Sequence, residues 1–477
     1  MNCDKSRGIL KALQEKYQYL VLAVISGLIL SLCFHDSINY DEFFSVQWCR
    51  LPWGGHGALL QRLINDVHPP LYYFLLKIIL DISHESLVCA RLFSAVSCIV
   101  FLWSGALFIQ QNFGKKSAIF YVFFLYLNPF MPQKATEIRI YMFASMFVIW
   151  CGIVTLRLLQ NENKREWIHF VVSSLLAAYT HYYALLTVAF LYAGILLWFL
   201  IKWNKRGIYR WFFCSVATVV GYLPWLPTVV RQIKDVNSGY WIEAPSSRLA
   251  PLRELFYSRI GYEIRYSEHV YIFCLLAFVM IALIAFIRTR SVEAYWALVC
   301  NSALWGILIF SIIYMQYFRP ILVSRYLIMA VCLAALGGCS TIRFINKYII
   351  LCVCAFFLIV GGKRYWDSMA GQRNRNTTNT LAYVEENMSS LDTIFYIYQE
   401  NAYFSQCMTY YFPEISSQSV ERDELDCLKE YDLESQGNTY FFDVDDAVLS
   451  VSDVEFEDCG RFGFSGMTFE IYKVLKK

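Results

Sequence analysis

Asp41 and Glu42 stand side by side just beyond a long apolar run. Carboxylates at a bilayer surface can take a proton from an attacking hydroxyl, coordinate a metal ion, or simply be solvated. His68 follows, directly before Pro69-Pro70-Leu71-Tyr72-Tyr73. Histidine and carboxylate ligands suit several divalent ions, so Asp41, Glu42 and His68 form a candidate metal set; the other role for His68 is to fix the start of a helix at the prolines. Glu137, Arg139 and Tyr141 alternate at the start of another apolar run. Arginine pairs bidentately with oxyanions, and Glu137 and Tyr141 stand close enough in sequence to hold it. Arg325 also lies just inside the end of an apolar run, where a charge is costly. For both arginines the bland alternative is snorkelling toward the headgroups. His181, with Tyr182 and Tyr183, sits between two apolar runs as a substrate contact or as an interfacial anchor. Arg259 and Arg265 lie in a long polar segment, Arg231–His269, that is a candidate lid.

The elements that must position these residues are membrane helices. The chain of 477 residues is 57% hydrophobic and only 17% charged, with a mean hydropathy of +0.42. A soluble chain carries nearer a quarter of its residues as charge. Apolar runs near the ~20 residues that span a bilayer recur through the first three quarters of the sequence. They are Tyr17–Phe34, Leu87–Ile109, Ser117–Phe130, Ile138–Leu159, Trp167–Tyr179, Tyr182–Ile201, Trp211–Val230, Val270–Ile287, Ala294–Tyr314, Ile321–Ser340 and Tyr348–Val360, so about eleven crossings are expected. Leu71–Leu80 is too short to cross and reads as a surface or re-entrant helix. No small-x-small site follows Phe34, so the first run reads as a span and not a cleaved signal.

Basic residues set the orientation. With the N-terminal Lys5, Arg7, Lys11 and Lys16 on the cytoplasmic side, alternate loops hold Lys115 and Lys116; Lys164 and Arg165; Lys202, Lys205, Arg206 and Arg210; Arg288 and Arg290; Arg343 and Lys347. Each is short and basic, as the positive-inside rule requires. The opposite, extracytoplasmic face then receives Asp41, Glu42, His68, Glu137, Arg139, His181 and Arg325. The expected division is a transmembrane domain over 1–362 and a soluble extracytoplasmic domain over 363–477.

That tail carries about twenty acidic against about ten basic residues. Thr393–Tyr398 and Thr439–Phe442 read as strands, and Thr380–Met388 as a helix, giving a small α/β unit. Its acidic surface could bind a basic acceptor, but a solvated face is the simpler reading. Asp443, Asp445 and Asp446 lack the glycine and terminal glutamate of an EF-hand loop. Most of the 16 cysteines lie inside the spans as small hydrophobes, and Cys407, Cys427 and Cys459 in the tail allow at most one internal disulfide. No basic stripe or motif suggests nucleic acid.

The order of the motifs carries a resemblance. Asp41-Glu42 after the first span, His68 through Tyr73, and Arg91-Leu92-Phe93-Ser94-Ala95 opening the next span come in sequence. Thr136-Glu137-Ile138-Arg139-Ile140-Tyr141, Thr180-His181-Tyr182-Tyr183 and Ser324-Arg325-Tyr326-Leu327 follow. Together they resemble glycosyltransferase family 39, the dolichyl-phosphate-mannose protein mannosyltransferases and bacterial relatives such as the lipid A aminoarabinose transferases. The resemblance covers roughly Tyr17 to Val360 and is nearer the bacterial branch, since the large middle lumenal domain of the eukaryotic enzymes is missing.

This resemblance implies the GT-C fold, an all-α polytopic membrane bundle with interfacial helices, here joined to the small α/β tail. It implies transfer of a sugar from a polyprenyl-phosphate donor to an extracytoplasmic lipid, polysaccharide or protein, with inversion. Asp41 looks like the family's catalytic carboxylate, with Glu42 assisting, and His68, Glu137, Arg139, Tyr141, His181 and Arg325 look like donor-phosphate or substrate contacts. The implied partners are the donor, membrane lipids and the acceptor; the compact architecture suggests a bacterial plasma membrane, while an endoplasmic reticulum membrane would satisfy the same topology rules. A divalent metal fits the candidate set; no cofactor is named by the sequence. The rival reading is a transporter or flippase of lipid-linked sugars. A transporter is expected to carry broken or charged helices near the midplane, often in two related halves. No internal repeat is visible, and the charges gather toward one face.

Overall fold

A computed structural model describes residues 18–35, 37–239, 242, 244–257, 267–372, 376–397, 403–421, 437–443, 455–464 and 467–475. The chain divides into two compact units: Met1–Phe34 with Trp48–Ser368, and His35–Gln47 with Met369–Lys477. Arg259 and Arg265, the candidate lid residues, lie outside the described residues, as do Cys427, Asp445 and Asp446.

The first unit is helical, and each expected apolar run forms a helix. Among the described residues, eight segments are long and apolar enough to cross a membrane, making the chain an integral multi-pass membrane protein. They are α5 (Leu87–Phe113), α8 (Tyr141–Gln160), α10 (Tyr182–Ile201), α14 (Ser267–Thr289), α15 (Val292–Tyr317) and α17 (Lys347–Gln372), with two composite segments. The first composite is α11 (Lys205–Tyr222) continued by α12 (Leu226–Ser238), interrupted where Pro224 and Pro227 remove backbone donors. In the second, the single turn Ser324–Leu327 leads into α16 (Ile328–Cys339). Three expected spans are shorter helices: α1 (Gln18–Ser31), α6 (Lys115–Tyr126) and α9 (Lys164–Ala178). The 12 residues of α6 rise only about 18 Å, less than the hydrocarbon thickness. The short elements α2 (Tyr40–Arg50), α3 (Leu59–Ile64), α4 (Leu71–Ile82), α7 (Met131–Lys134) and α13 (Ala250–Phe256) complete the helices of the described residues before the tail, and α4 coincides with the expected non-crossing run.

The centre of the bundle is α16, all 12 residues of which are buried. It packs against α8, α14, α15 and α6. Close packing of membrane helices needs small residues, because lipid offers no hydrophobic drive to association. A Cβ on Gly338 would stand 2.1 Å from the Phe278 ring, and one on Gly337 2.5 Å from Cys300 Cβ. Those two glycines are what let α14 and α15 approach.

The second unit is a five-stranded sheet in the order β2-β1-β3-β5-β4, where the strands are Thr393–Ile397, Ser416–Val420, Thr439–Asp443, Phe456–Phe464 and Met467–Val474 in chain order. β1 pairs in parallel with β2 and β3, while β5 pairs antiparallel with β3 and β4. Side chains alternate faces along a strand. Ile394, Tyr396, Tyr440 and Phe442 accordingly form one core with Val384 of α18 (Asn376–Asn387) and Phe404, Cys407 and Met408 of α19 (Tyr403–Tyr411), and Phe395 and Phe441 face the other side with Val420. The early segment belongs to the same unit: Ile38 N–H donates to the Tyr411 hydroxyl at 3.0 Å, and Phe43 meets Tyr410 edge-on at 5.9 Å.

Candidate active site

The site of the first unit is built where the chain enters α4, α8, α10 and α16. Pro69 and Pro70 open α4, and the Leu71 N–H donates to the Tyr179 carbonyl at 3.0 Å. That bond ties the His68 turn to the turn that carries His181. Tyr72 and Tyr73 are fully buried; Tyr72 stacks on Phe93 at 5.3 Å and meets Ser94 Oγ at 3.4 Å, so the Arg91–Ala95 stretch of α5 supports the α4 wall. Tyr73 packs edge-on against His68 at 5.8 Å, and Trp48 lies 5.9 Å from the same imidazole.

Arg139 is buried to 5% exposure just before α8. Its Nη1 donates to the Tyr73 hydroxyl and its Nη2 lies against His68 Nε2, each at 3.3 Å. The other ring nitrogen, His68 Nδ1, is hydrogen-bonded to the Asp66 carboxylate. Asp66, His68, Arg139 and Tyr73 thus form one chain of polar groups. Burial alone would raise the Asp66 carboxyl, but His68, the Val67 backbone N–H and Arg139 together outweigh it and hold Asp66 below the usual carboxylate value.

Glu137 is equally buried and pairs with Lys134 of α7, Nζ to Oε1, at 2.5 Å. The Lys134 ammonium also stands 5.8 Å from the Tyr141 ring centre. The Tyr141 hydroxyl is buried and has no hydrogen-bond partner among the described residues. Its ring lies 5.9 Å from His181 and 6.5 Å from Tyr326. Tyr326 follows Arg325, so the landmark before α16 reaches the same place; the two rings His181 and Tyr326 stand 5.1 Å apart.

His181 is the N-cap of α10, and its Nδ1 accepts the Tyr183 N–H at 3.0 Å. Burial, with the nearby Arg139 and Arg325 guanidinium groups adding to it, pushes its pKa well below 6.5. The imidazole is therefore neutral with its proton on Nε2, a donor and not a cation. Tyr183 anchors the far side by donating to the Ile321 carbonyl at 2.9 Å.

Beside these groups lies a largely apolar cavity of about 260 Å3. His68, Pro69, His181 and Tyr326 form its polar end; Val229, Ile233 and Val236 of α12 and Phe310 of α15 supply the apolar wall. α12 is held there by Gln232, whose amide donates to the Leu63 carbonyl at 2.9 Å and whose carbonyl accepts from Tyr182. A larger cleft of about 570 Å3 lies at the opposite end of α8, lined by Leu107, Trp150, Arg157, His169 and Val172, away from every candidate residue.

Six of the eight candidate residues therefore fall in the first unit, and His68, Arg139, Tyr141, His181 and Arg325 gather round one spot, with Glu137 held beside it by Lys134. Asp41 and Glu42 belong to the second unit. They open α2, where the Glu42 carboxylate accepts the Asn39 N–H at 3.1 Å while Asn39 Oδ1 accepts the Glu42 N–H at 2.9 Å. This reciprocal pair is a capping box, so Glu42 has a structural task at the helix start, with Asp41 in the first turn beside it. Both ring nitrogens of His68 are engaged by Asp66 and Arg139. Among the described residues no three His, Cys, Asp or Glu side chains gather as a metal site. Sequence reasoning missed Asp66, Lys134 and Gln232. Asp66-x-His68 is the one signal that was available, a carboxylate within reach of the ring across a turn.

Comparison with known proteins agrees with this picture. Residues 67–227 match the family described as dolichyl-phosphate-mannose-protein mannosyltransferase, a stretch that holds His68, Glu137, Arg139, Tyr141 and His181. No curated protein matches the chain in sequence. Among solved structures, ArnT from Cupriavidus metallidurans bound to undecaprenyl phosphate superposes with a TM-score of 0.58 at 10% identity, over 96% of this chain and 98% of that one. The archaeal oligosaccharyltransferase AglB from Archaeoglobus fulgidus, in complex with an inhibitory peptide and a dolichol-phosphate, gives 0.48 at 10% identity, over 85% and 65%. Arabinofuranosyltransferase AftD from Mycobacteria gives 0.48 at 12% identity, over 96% and 40%. The fold assignment rests on the first of these. The chain is thus a multi-pass membrane protein of ArnT-like fold that matches, over residues 67–227, the dolichyl-phosphate-mannose-protein mannosyltransferase family.

Proposed function

We propose that the protein transfers a sugar from a polyprenyl-phosphate donor to an extracytoplasmic acceptor, with inversion at the anomeric carbon. The observation that carries this reading is the buried Arg139, held by Tyr73 and by His68, a residue that itself lines the polar end of an apolar cavity. A buried guanidinium is costly in a membrane protein and is kept where an anion must be met. Phosphate is such an anion, and a prenyl chain beside it needs an apolar wall. ArnT was crystallised with undecaprenyl phosphate, a ligand of the same chemistry.

The chemistry follows from the groups present. As the bond from the sugar to phosphate breaks, negative charge grows on the leaving phosphate, and Arg139 with Arg325 stabilises it. Neutral His181 donates from Nε2, and the buried Tyr141 hydroxyl is free to bond the donor. Asp41 takes the acceptor's hydroxyl proton as general base; that assignment rests on its place in the family pattern. We read the short basic loops as cytoplasmic, which puts the N-terminus inside and this site outside, and we take the membrane to be a bacterial plasma membrane.

The test is transfer from a panel of radiolabelled polyprenyl-phosphate sugars by the purified protein and its Asp41→Asn variant, with a membrane extract as acceptor. Transfer by the wild type that falls about 10²- to 10⁴-fold in a folded, donor-binding Asp41→Asn establishes the base. Equal transfer by both would remove Asp41 from the mechanism. Flipping of a labelled polyprenyl-phosphate sugar without any transfer would replace the enzyme by a transporter.

A further inference from the structure

Asp66 belongs to no motif read from the sequence, yet it ends a chain of hydrogen bonds that reaches Arg139. The direction of that chain is fixed by chemistry. A guanidinium has donors only, so the contact between Arg139 Nη2 and His68 Nε2 at 3.3 Å requires a lone pair on Nε2. The ring proton must then sit on Nδ1, where the Asp66 carboxylate accepts it. Carboxylate, imidazole and guanidinium are aligned so that each group decides what the next can do.

The imidazole cannot evade this by turning away. Trp48 and Tyr73 pack against it at 5.9 and 5.8 Å, and His68 is 8% exposed. With the ring held, only the position of its proton is variable. A proton on Nε2 would set two donors against each other and break the contact between His68 and the Arg139 guanidinium.

We propose that Asp66 is a positioning residue: it fixes the His68 proton on Nδ1, and His68 Nε2 then aims the Arg139 guanidinium at the phosphate of the lipid donor. The aim at phosphate rests on the function proposed above, whereas the tautomer of His68 does not. A carboxylate that orients a histidine is commonly worth about 10- to 100-fold in the activity the histidine supports.

Two measurements on the full-length protein in lipid nanodiscs test this separately. The first is nitrogen NMR of histidine-labelled protein, with the His68 signals identified by their loss in His68→Gln. Protonated Nδ1 and bare Nε2 are expected in the wild type and in Asp66→Asn, whose amide oxygen still accepts; in Asp66→Leu the proton moves wholly or partly to Nε2. Bare Nδ1 in the wild type, or an unchanged ring in Asp66→Leu, overturns the proposal whatever the protein does to sugars. The second is binding of undecaprenyl phosphate to the wild type, Asp66→Leu, His68→Leu and the double variant. Asp66→Leu should weaken binding about 10- to 100-fold when His68 is present and hardly at all when position 68 is leucine, because the carboxylate acts only through the ring. His68→Gln, which offers a carbonyl to Arg139 and an N–H to Asp66, should recover most of the loss seen in His68→Leu. Equal losses from Asp66→Leu in both backgrounds would mean a merely structural carboxylate and contradict the proposal. Failure of the folded wild type to bind undecaprenyl phosphate would instead remove the donor, leaving the NMR result to decide the tautomer.

Discussion

The two ends of α8 hold charge in opposite ways. At its C-terminal end Arg157 is 47% exposed and faces Glu166 at 3.6 Å, Arg210 meets Glu162 at 3.3 Å, Gln160 reaches Glu293, and Arg343 lies over Phe113. These are the loops that read as short and basic, brought together at one face. At its N-terminal end Arg139 is buried against the Tyr73 hydroxyl and the Nε2 of His68, and Glu137 is sealed against Lys134. Exposed ion pairs of the first kind contribute little and need no function to explain them. Charges buried as at the second end are expensive, and a fold keeps them where they meet a ligand. The larger cleft lies at the cheap end and the smaller cavity at the costly one, so size alone points to the wrong place.

The comparison can be broken most sharply at the arginines. Arg139→Gln should abolish measurable transfer and reduce binding of undecaprenyl phosphate at least about 100-fold, the cost of losing one preorganised charge in a dry site. Arg157→Gln should leave both within about twofold, since an exposed pair contributes little; a comparable loss there would erase the contrast. Next in size is Glu137→Gln, which strands Lys134 in a buried setting. We expect a destabilisation of about 3 kcal/mol, read as a fall in Tm, whereas Glu166→Gln at the other end should shift stability by less than about 1 kcal/mol.

The smallest effect concerns pH. Because the folded state holds His181 well below 6.5, the unfolded chain binds its proton first as pH falls. Stability is then unaffected above pH 6.5 and declines below it. His181→Gln should flatten that decline, and an unchanged acid limb in the variant would assign it to other groups.

Much of this was legible beforehand, for physical reasons. A span of apolar residues declares itself by composition, and every expected run is a helix, including α4 as a non-crossing one. Hydropathy could not show that α6 and α9 stop short, because their flanking aromatic and apolar residues look the same whether they cross or line the core. In the tail, β1 and β3 were visible from their β-branched and aromatic runs, while β4 and β5, with Glu457, Asp458 and Glu470 among their residues, were not. Arg139 and His181 were visible as charges and imidazoles at the ends of spans. Asp66 was not, since its part depends on a turn that places a carboxylate against one particular ring nitrogen. Lys134 and Gln232 were hidden likewise, one in a four-residue helix, the other on the buried side of an amphipathic one.

The most direct test of the account uses a polyprenyl phosphate carrying a diazirine near the head of its prenyl chain, added to the protein in nanodiscs and activated by light. Peptide mapping should find adducts on α12 and α15, at residues such as Val229, Ile233 and Phe310, suppressed by excess undecaprenyl phosphate and much weakened in Arg139→Gln. Adducts confined to Leu107, Trp150 and Val172 of the larger cleft, or labelling indifferent to Arg139, would contradict the claim that the buried cation end receives the lipid-linked donor.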